Sequence, residues 1–349
     1  MSFRFSRVAA GLGAVVMLAL AGCGSGSGSD TADGERADDA NSILVYSGRS
    51  EELVAPLFEK FTADTGIGVE VRYAGSGELA AQLITEGDQS PADVFLSQDA
   101  GALGAVSKAG LFAPIAADTL AAVPANYSAG DGTWIGVSGR ARVLVYNPEQ
   151  VPTPPDTVDA LLAPEWKGRI GYAPSNSSWQ AFVTGLRVLR GDDGAEQWLR
   201  AFKAQEPRAY ENNIALRDAV NAGELPLALS NHYYLYELIA ADGPDAVVAR
   251  NQYMAPGDPG GLINVAGVGV LATAANPEGA QQFAKYLVGE SAQTYFATET
   301  EEYPLTVGVA PGVEMPPLAD LSPPAVDLSQ LDDIEATQEL LVATGLLTN

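Results

Sequence analysis

Cysteine and histidine are almost missing: among 349 residues there is one of each, Cys23 and His232. No disulfide can close within the chain, and no Cys-based metal site or thiol catalysis is available if Cys23 is modified. The lone histidine follows an asparagine at a predicted helix start, there is no Gly-x-Ser-x-Gly elbow and no phosphate-binding Gly-rich loop, and no pair of acids stands out. These absences argue against an enzyme. Basic residues are scarce as well, 19 Lys and Arg against 44 Asp and Glu, for a formal charge of -25. Such a chain repels nucleic acid and anionic lipid. The acids are spread rather than clustered, so they read as solvated surface.

What is present begins with a leader. Arg4 and Arg7 precede an apolar run over 8–20, and small residues follow, as in an export signal covering 1–22. Leu20-Ala21-Gly22-Cys23 resembles the bacterial lipobox, which implies that Cys23 is diacylated and becomes the mature N-terminus. The expected location is therefore the extracytoplasmic face of the cell membrane, held by a lipid anchor without a transmembrane segment. The segment 23–41 is Gly, Ser, Asp and Ala, with little to bury, and reads as a flexible tether.

From residue 42 the pattern alternates. Runs at 43–48, 69–73 and 92–96 read as strands, with helical spacing over Glu51–Thr65, 78–87 and 103–109 between and after them. Strand-like runs recur at Trp134–Tyr146, Ile170–Tyr172, 225–229 and 262–271. Helices are expected at 179–189, 195–202, 235–241, Pro277–Leu287, 292–298 and 328–347. This is an α/β chain with mainly parallel sheets covered on both faces. With no composition break after Asn41, it reads as two lobes sharing crossover strands at 137–146 and 261–271. The lobes are expected to be 42–138 with 264–310, and 139–263 with 311–349.

The stretch Ser230-Asn231-His232-Tyr233-Tyr234 joins a short apolar strand to a helix, with Ser230 or Asn231 as the expected N-cap. It puts Tyr233 and Tyr234 in a first helical turn at a strand's C-terminal end, where open α/β sheets hold ligands. With 13 tyrosines in the chain a Tyr-Tyr pair alone is weak, so its context decides.

That context resembles the ferric-iron-binding proteins of bacterial ATP-binding-cassette uptake systems. The carriers are Val45-Tyr46-Ser47-Gly48, Phe61 to Ile67, Ser90-Pro91-Ala92-Asp93-Val94-Phe95, Ser138 to Val143, Trp166 to Tyr172, Asn231 to Tyr234, Asp258-Pro259-Gly260 and Glu302-Tyr303-Pro304-Leu305. The resemblance implies a two-lobed type II solute-binding fold with a ligand cleft between lobes joined by crossover strands. It further implies a monomer that delivers Fe3+ to a membrane permease, with Tyr233 and Tyr234 as phenolate ligands. Hard ferric iron prefers anionic oxygen and can drive deprotonation of phenols.

Two departures stand out. Many members carry His where this chain has Ser50, and Glu where it has Gln98; Asp99 is the carboxylate nearest the latter. The loop 175–179, where some members place another tyrosine, has none. Two phenolates leave an octahedral ion short of ligands, and the family often adds carbonate, phosphate or citrate. Ser138, Gly139, Arg140, Asn176 and Asn231 are candidates to hold such an anion, with Arg140 or Arg142 as a clamp and a Ser138-Gly139 turn offering N–H groups. The alternative on the same fold is a binding protein for phosphate, a sugar-phosphate or another organic anion.

Overall fold

The computed structural model describes residues 41–347; the leader, Cys23 and the tether up to residue 40 lie outside the described residues. The first strands, β1 (Ser42–Ser47), β2 (Gly68–Tyr73) and β3 (Val94–Ser97), are parallel and follow the order β2-β1-β3. The crossovers are α1 (Glu51–Thr65), closed by Gly66 at φ 76°, and α2 (Ser76–Glu86), and α3 (Ala100–Lys108) follows β3. After β4 (Phe112–Ala113) and α4 (Ala117–Leu120), β5 (Trp134–Tyr146) enters the same sheet. The second half holds β6 (Ile170–Tyr172), α5 (Ser177–Ala204), β7 (Arg208–Ala209), α6 (Asn213–Asn221), β8 (Leu227–Asn231), α7 (Tyr233–Asp242) and β9 (Arg250–Gln252). The chain then returns through β10 (Ile263–Leu271), α8 (Pro277–Leu287), α9 (Glu290–Glu299) and β11 (Tyr303–Pro304), and closes with α10 (Ile334–Ala343).

The cores divide along the same line. One packs Phe61, Phe95, Trp134, Phe283 and Phe296 around the first sheet, with Phe61 edge-on to Phe283 at 5.0 Å. Another stacks Trp198 on Phe202 at 5.0 Å beside Trp179, Phe182 and Tyr172, and a third covers the opposite face with Leu216, Val220 and Leu235. Burial on both faces explains why strands such as β5 and β10 read as continuous apolar runs rather than alternating ones.

Two expectations are modified and a third holds. The helical pattern over 328–347 breaks at Asp333, which caps α10 by accepting from Ala336 N. The break lets Leu328 and Leu331 join the first core while Leu341 and Leu346 join the second, so the segment 328–346 packs on both halves. The two helices expected within α5 are there, separated by Gly191 at φ 72°. No side chain caps α7: Asn231 is still in the β8 ladder, His232 already has helical backbone angles, and no extended residue is left to cap with.

β5 is the strand that changes sheets. Its residues up to Ala141 pair antiparallel with β10, and from Arg142 to Tyr146 they pair with β8. β10 stays within the first sheet, so the return crossing is made by the segment before Ile263, where Arg142 N–H donates to Leu262 O at 3.1 Å. His232 clasps the changeover. Its N–H donates to Ala141 O at 3.0 Å, and its Nδ1 accepts from Ala141 N at 3.2 Å. The ring is fully buried and stacks on Tyr303 at 4.6 Å. The only histidine is therefore explained by the hinge.

Burial pushes the His232 imidazole down from 6.5 to about 4, which suits a ring that must keep Nδ1 unprotonated. Below pH 6.5 the unfolded chain takes up a proton that the folded chain does not. The stability that wild type has over His232→Gln should thus shrink as pH falls from about 6.5 towards 4, by about 3 kcal/mol, read by urea unfolding of both proteins across that range.

Candidate metal site

Because α7 begins one residue after His232 closes the β8 clasp, its first turn is fixed at the C-terminal end of that strand. The rings of Tyr233 and Tyr234 lie 4.1 Å apart, tilted by 31°. They line a cleft of about 360 Å³ whose other walls are Arg49 and Ser50 from the β1–α1 turn, Glu52 and Leu53 from the first turn of α1, Gln98 after β3, Ile214 of α6, and Glu237 one turn further along α7. Of the residues expected from sequence, the tyrosine pair, Ser50 and Gln98 come together here. Arg49, Glu52, Ile214 and Glu237 were missed. Helical spacing held a signal for Glu237, four residues after Tyr233 and so on its face of the helix.

Under the cleft lies a buried charge cluster. Glu302 takes a bidentate pair from Arg49, Nη1 to Oε1 at 2.9 Å and Nη2 to Oε2 at 3.0 Å, with both side chains 5% exposed or less. Ser138 Oγ and Thr300 Oγ1 donate to Oε2 at 3.0 and 3.1 Å, and Arg140 Nε stands 3.8 Å from Oε1. Burial works to raise the Glu302 carboxyl, but Arg49 and Arg140 hold it below the usual range. The Arg49 guanidinium is also in electrostatic reach of both Tyr233 and Tyr234. Burial, then the neighbouring Tyr234, push the Tyr233 phenol well above 10, and Arg140 only partly offsets this.

The remaining sequence candidates are placed as follows. Asp99 caps α3, accepting from Ala102 N at 3.0 Å, and lines a different cleft. Ser138 and Gly139 do not form a turn: they are inside β5, paired with β10 on one side and β11 on the other, so their ladder position corrects the expected N–H nest. Arg140 donates to the Gln98 carbonyl. Asn176 caps α5 through Oδ1, which accepts from Ser178 N, Ser178 Oγ and Asn213 Nδ2 at 2.9, 2.6 and 3.2 Å. Asn231 is buried opposite Arg142 in the β5–β8 ladder, on the same sheet face.

Arg142 is the more telling arginine. Its Nη1 donates to Ser178 O at 2.8 Å beneath the first turn of α5, while Nε and Nη2 are buried without a hydrogen-bond partner. Burial pulls this guanidinium down to about 9, and its main favourable charge is Tyr234. An unpartnered guanidinium under a helix N-terminus is suited to an anion. Gln98 Nε2 reaches Ser177 Oγ at 3.4 Å, so the first-sheet wall touches this helix start.

The donor set is oxygen-rich. Among the described residues, no cluster of three or more His, Cys, Asp or Glu could hold a metal, which leaves phenols and single carboxylates, the ligands of a hard cation. The charge cluster is testable by itself. Glu302→Leu leaves two buried guanidiniums without their carboxylate and should cost about 3–5 kcal/mol in urea unfolding. Lys285→Ala, which removes the exposed pair with Asp118, should leave stability nearly unchanged.

The "Fe(3+)-binding periplasmic protein" of Serratia marcescens is 38% identical over 320 residues, covering 90% of this chain and 94% of that one. Iron-bound HitA from Pseudomonas aeruginosa superposes with a TM-score of 0.81 at 34% identity, covering 87% of this chain and 99% of HitA. The Trichodesmium protein IdiA (FutA), solved with iron and citrate, gives 0.77 at 31%, covering 87% and 99%. The fold is thus the two-lobed type II solute-binding fold. The model for the family described as bacterial extracellular solute-binding protein matches residues 89–328, and the chain belongs to that family.

Proposed function

We propose that this protein is an extracytoplasmic ferric-iron receptor of an ATP-binding-cassette uptake system. It binds the ion in the cleft through Tyr233 and Tyr234 and delivers it to a membrane permease as a monomer, held at the cell membrane by lipid on Cys23. The observation that carries the reading is the tyrosine pair, packed ring against ring on the wall of a cleft whose lining is rich in oxygen donors. Two phenols side by side have small purpose in an organic-anion site, and the relatives named for ferric iron agree. The role is binding rather than catalysis.

Both phenols have to lose protons for this, and the raised Tyr233 means that the ion itself must drive the loss. The groups that would serve a synergistic anion such as carbonate, phosphate or citrate are Arg142, whose Nε and Nη2 lack hydrogen-bond partners, the start of α5 at Asn176, and Asn231 opposite Arg142. The same groups favour the second reading, a receptor for phosphate, a sugar-phosphate or another organic anion, bound with the phenols protonated.

Ferric iron added with carbonate or citrate should give a visible tyrosinate-to-iron charge-transfer band. The band should vanish in the Tyr233→Phe/Tyr234→Phe double variant. An unchanged band in that variant would sink the ligand assignment. Thermal stabilisation by an anion alone, with no band under any condition, would move the function to the second reading.

A further inference from the structure

Glu237 is a carboxyl of the cleft wall to which the fold gives no direct partner among the described residues. Its carboxylate is partly buried on the cleft wall and makes no hydrogen bond or ion pair within 4.0 Å among the described residues. The nearest cation on a neighbouring helix, Arg217 of α6, is engaged elsewhere: it reaches Asp218 Oδ1 at 2.9 and 2.8 Å and donates to Tyr234 O at 2.8 Å. Across the cleft floor Arg49 is held by Glu302. Glu301 and Glu302 add like charge on that side, and burial above all raises the Glu237 carboxyl to about 7. A half-buried, unpaired carboxylate is a cost to the fold, relieved by taking up a proton or by meeting a cation.

Its place on α7 says which cation. Glu237 follows Tyr233 by four residues and Tyr234 by three, so all three share one helical face and line one cleft. Two phenolates leave a trivalent ion with one positive charge uncompensated, and one carboxylate brings the set to neutrality. The two positions opposite, Ser50 and Gln98, are neutral.

We propose that Glu237 is a third anionic oxygen ligand for ferric iron, supplied from the same helix as the tyrosine pair in place of charge from Ser50 and Gln98. The inference rests on the iron reading above. It makes the tyrosine-bearing wall the main metal-binding wall; on the wall opposite, Ser50 and Gln98 are neutral and Glu52 is the one carboxylate.

The test compares wild type, Glu237→Gln, Glu52→Gln and the double tyrosine variant in competition with a ferric chelator between pH 5.5 and 8. In Glu237→Gln the charge-transfer band should persist, because the phenolates remain, while affinity falls about 10- to 100-fold. The logarithm of affinity against pH should also be shallower by about one proton below pH 7, since one fewer group must ionise to bind. Thermal unfolding of the iron-free variant, expected to be at least as stable as wild type, separates this from a folding defect. Unchanged affinity and slope in Glu237→Gln, in a wild type that binds with its band, overturns the proposal and leaves the iron reading standing. A loss confined to Glu52→Gln places the carboxylate on the opposite wall and overturns it too. No band in wild type defeats the iron reading first, and this proposal with it.

Discussion

Glu302 sits buried between two guanidinium groups, and its partners arrive on three segments: Arg49 from the turn after β1, Ser138 and Arg140 from the strand that changes sheets, Thr300 from the end of α9. Removing three ions from water is costly, and only near-complete pairing makes it tolerable. The consequence is geometric. The β1–α1 turn, which forms one wall of the cleft, is tied to β5, which carries the chain to the other wall. Two positive charges against one negative leave the floor electropositive beneath Tyr233 and Tyr234, an environment that favours whatever negative charge those phenols acquire.

The second constraint is the clasp at Ala141. A strand that passes from one sheet to another must satisfy its backbone on both sides of the changeover, and His232 supplies both a donor and an acceptor there. Since His232 immediately precedes Tyr233, the residue that pins the hinge also sets where the tyrosine-bearing helix starts. The chain's single imidazole therefore contributes to the site by position, with its ring turned to Ala141 and Tyr303 rather than to the cleft.

How much of this was legible in the sequence differs by level. The alternation of apolar runs and helical spacing carried the α/β class, the long crossing strand and the split of α5, because each rests on local periodicity. The tyrosine pair stood out at its junction between strand and helix, but its metal role, and the interest of Ser50 and Gln98, came only from the family resemblance; the structure puts all four on one cleft. Ser138 and Gly139 were misread as a turn because small residues within a doubly paired strand look the same in sequence as small residues in a loop. The extra ladder comes from β11, two residues long and more than 160 positions away. Glu302 and Arg49 were invisible as a pair for the same reason, a contact between residues 253 apart. The C-terminal helix was read through Asp333 because both halves are amphipathic, and only their different cores require the break.

The competing ligands differ in what they ask of the same phenols. Burial keeps Tyr233 protonated well past neutral pH, so an organic anion entering the cleft would meet hydroxyl donors and the Arg49 side chain, and would need no proton to leave. Glu237 would then be a repulsive neighbour, and a cleft evolved for anions gains nothing from a partly buried carboxylate one turn from its donors. Ferric iron reverses each of these signs. It expels the phenolic protons, turns the electropositive floor into support for phenolates, and gives Glu237 the cation it lacks. That carboxylate is the group whose effect on the two ligands is opposite in sign, repelling an anion and attracting a cation.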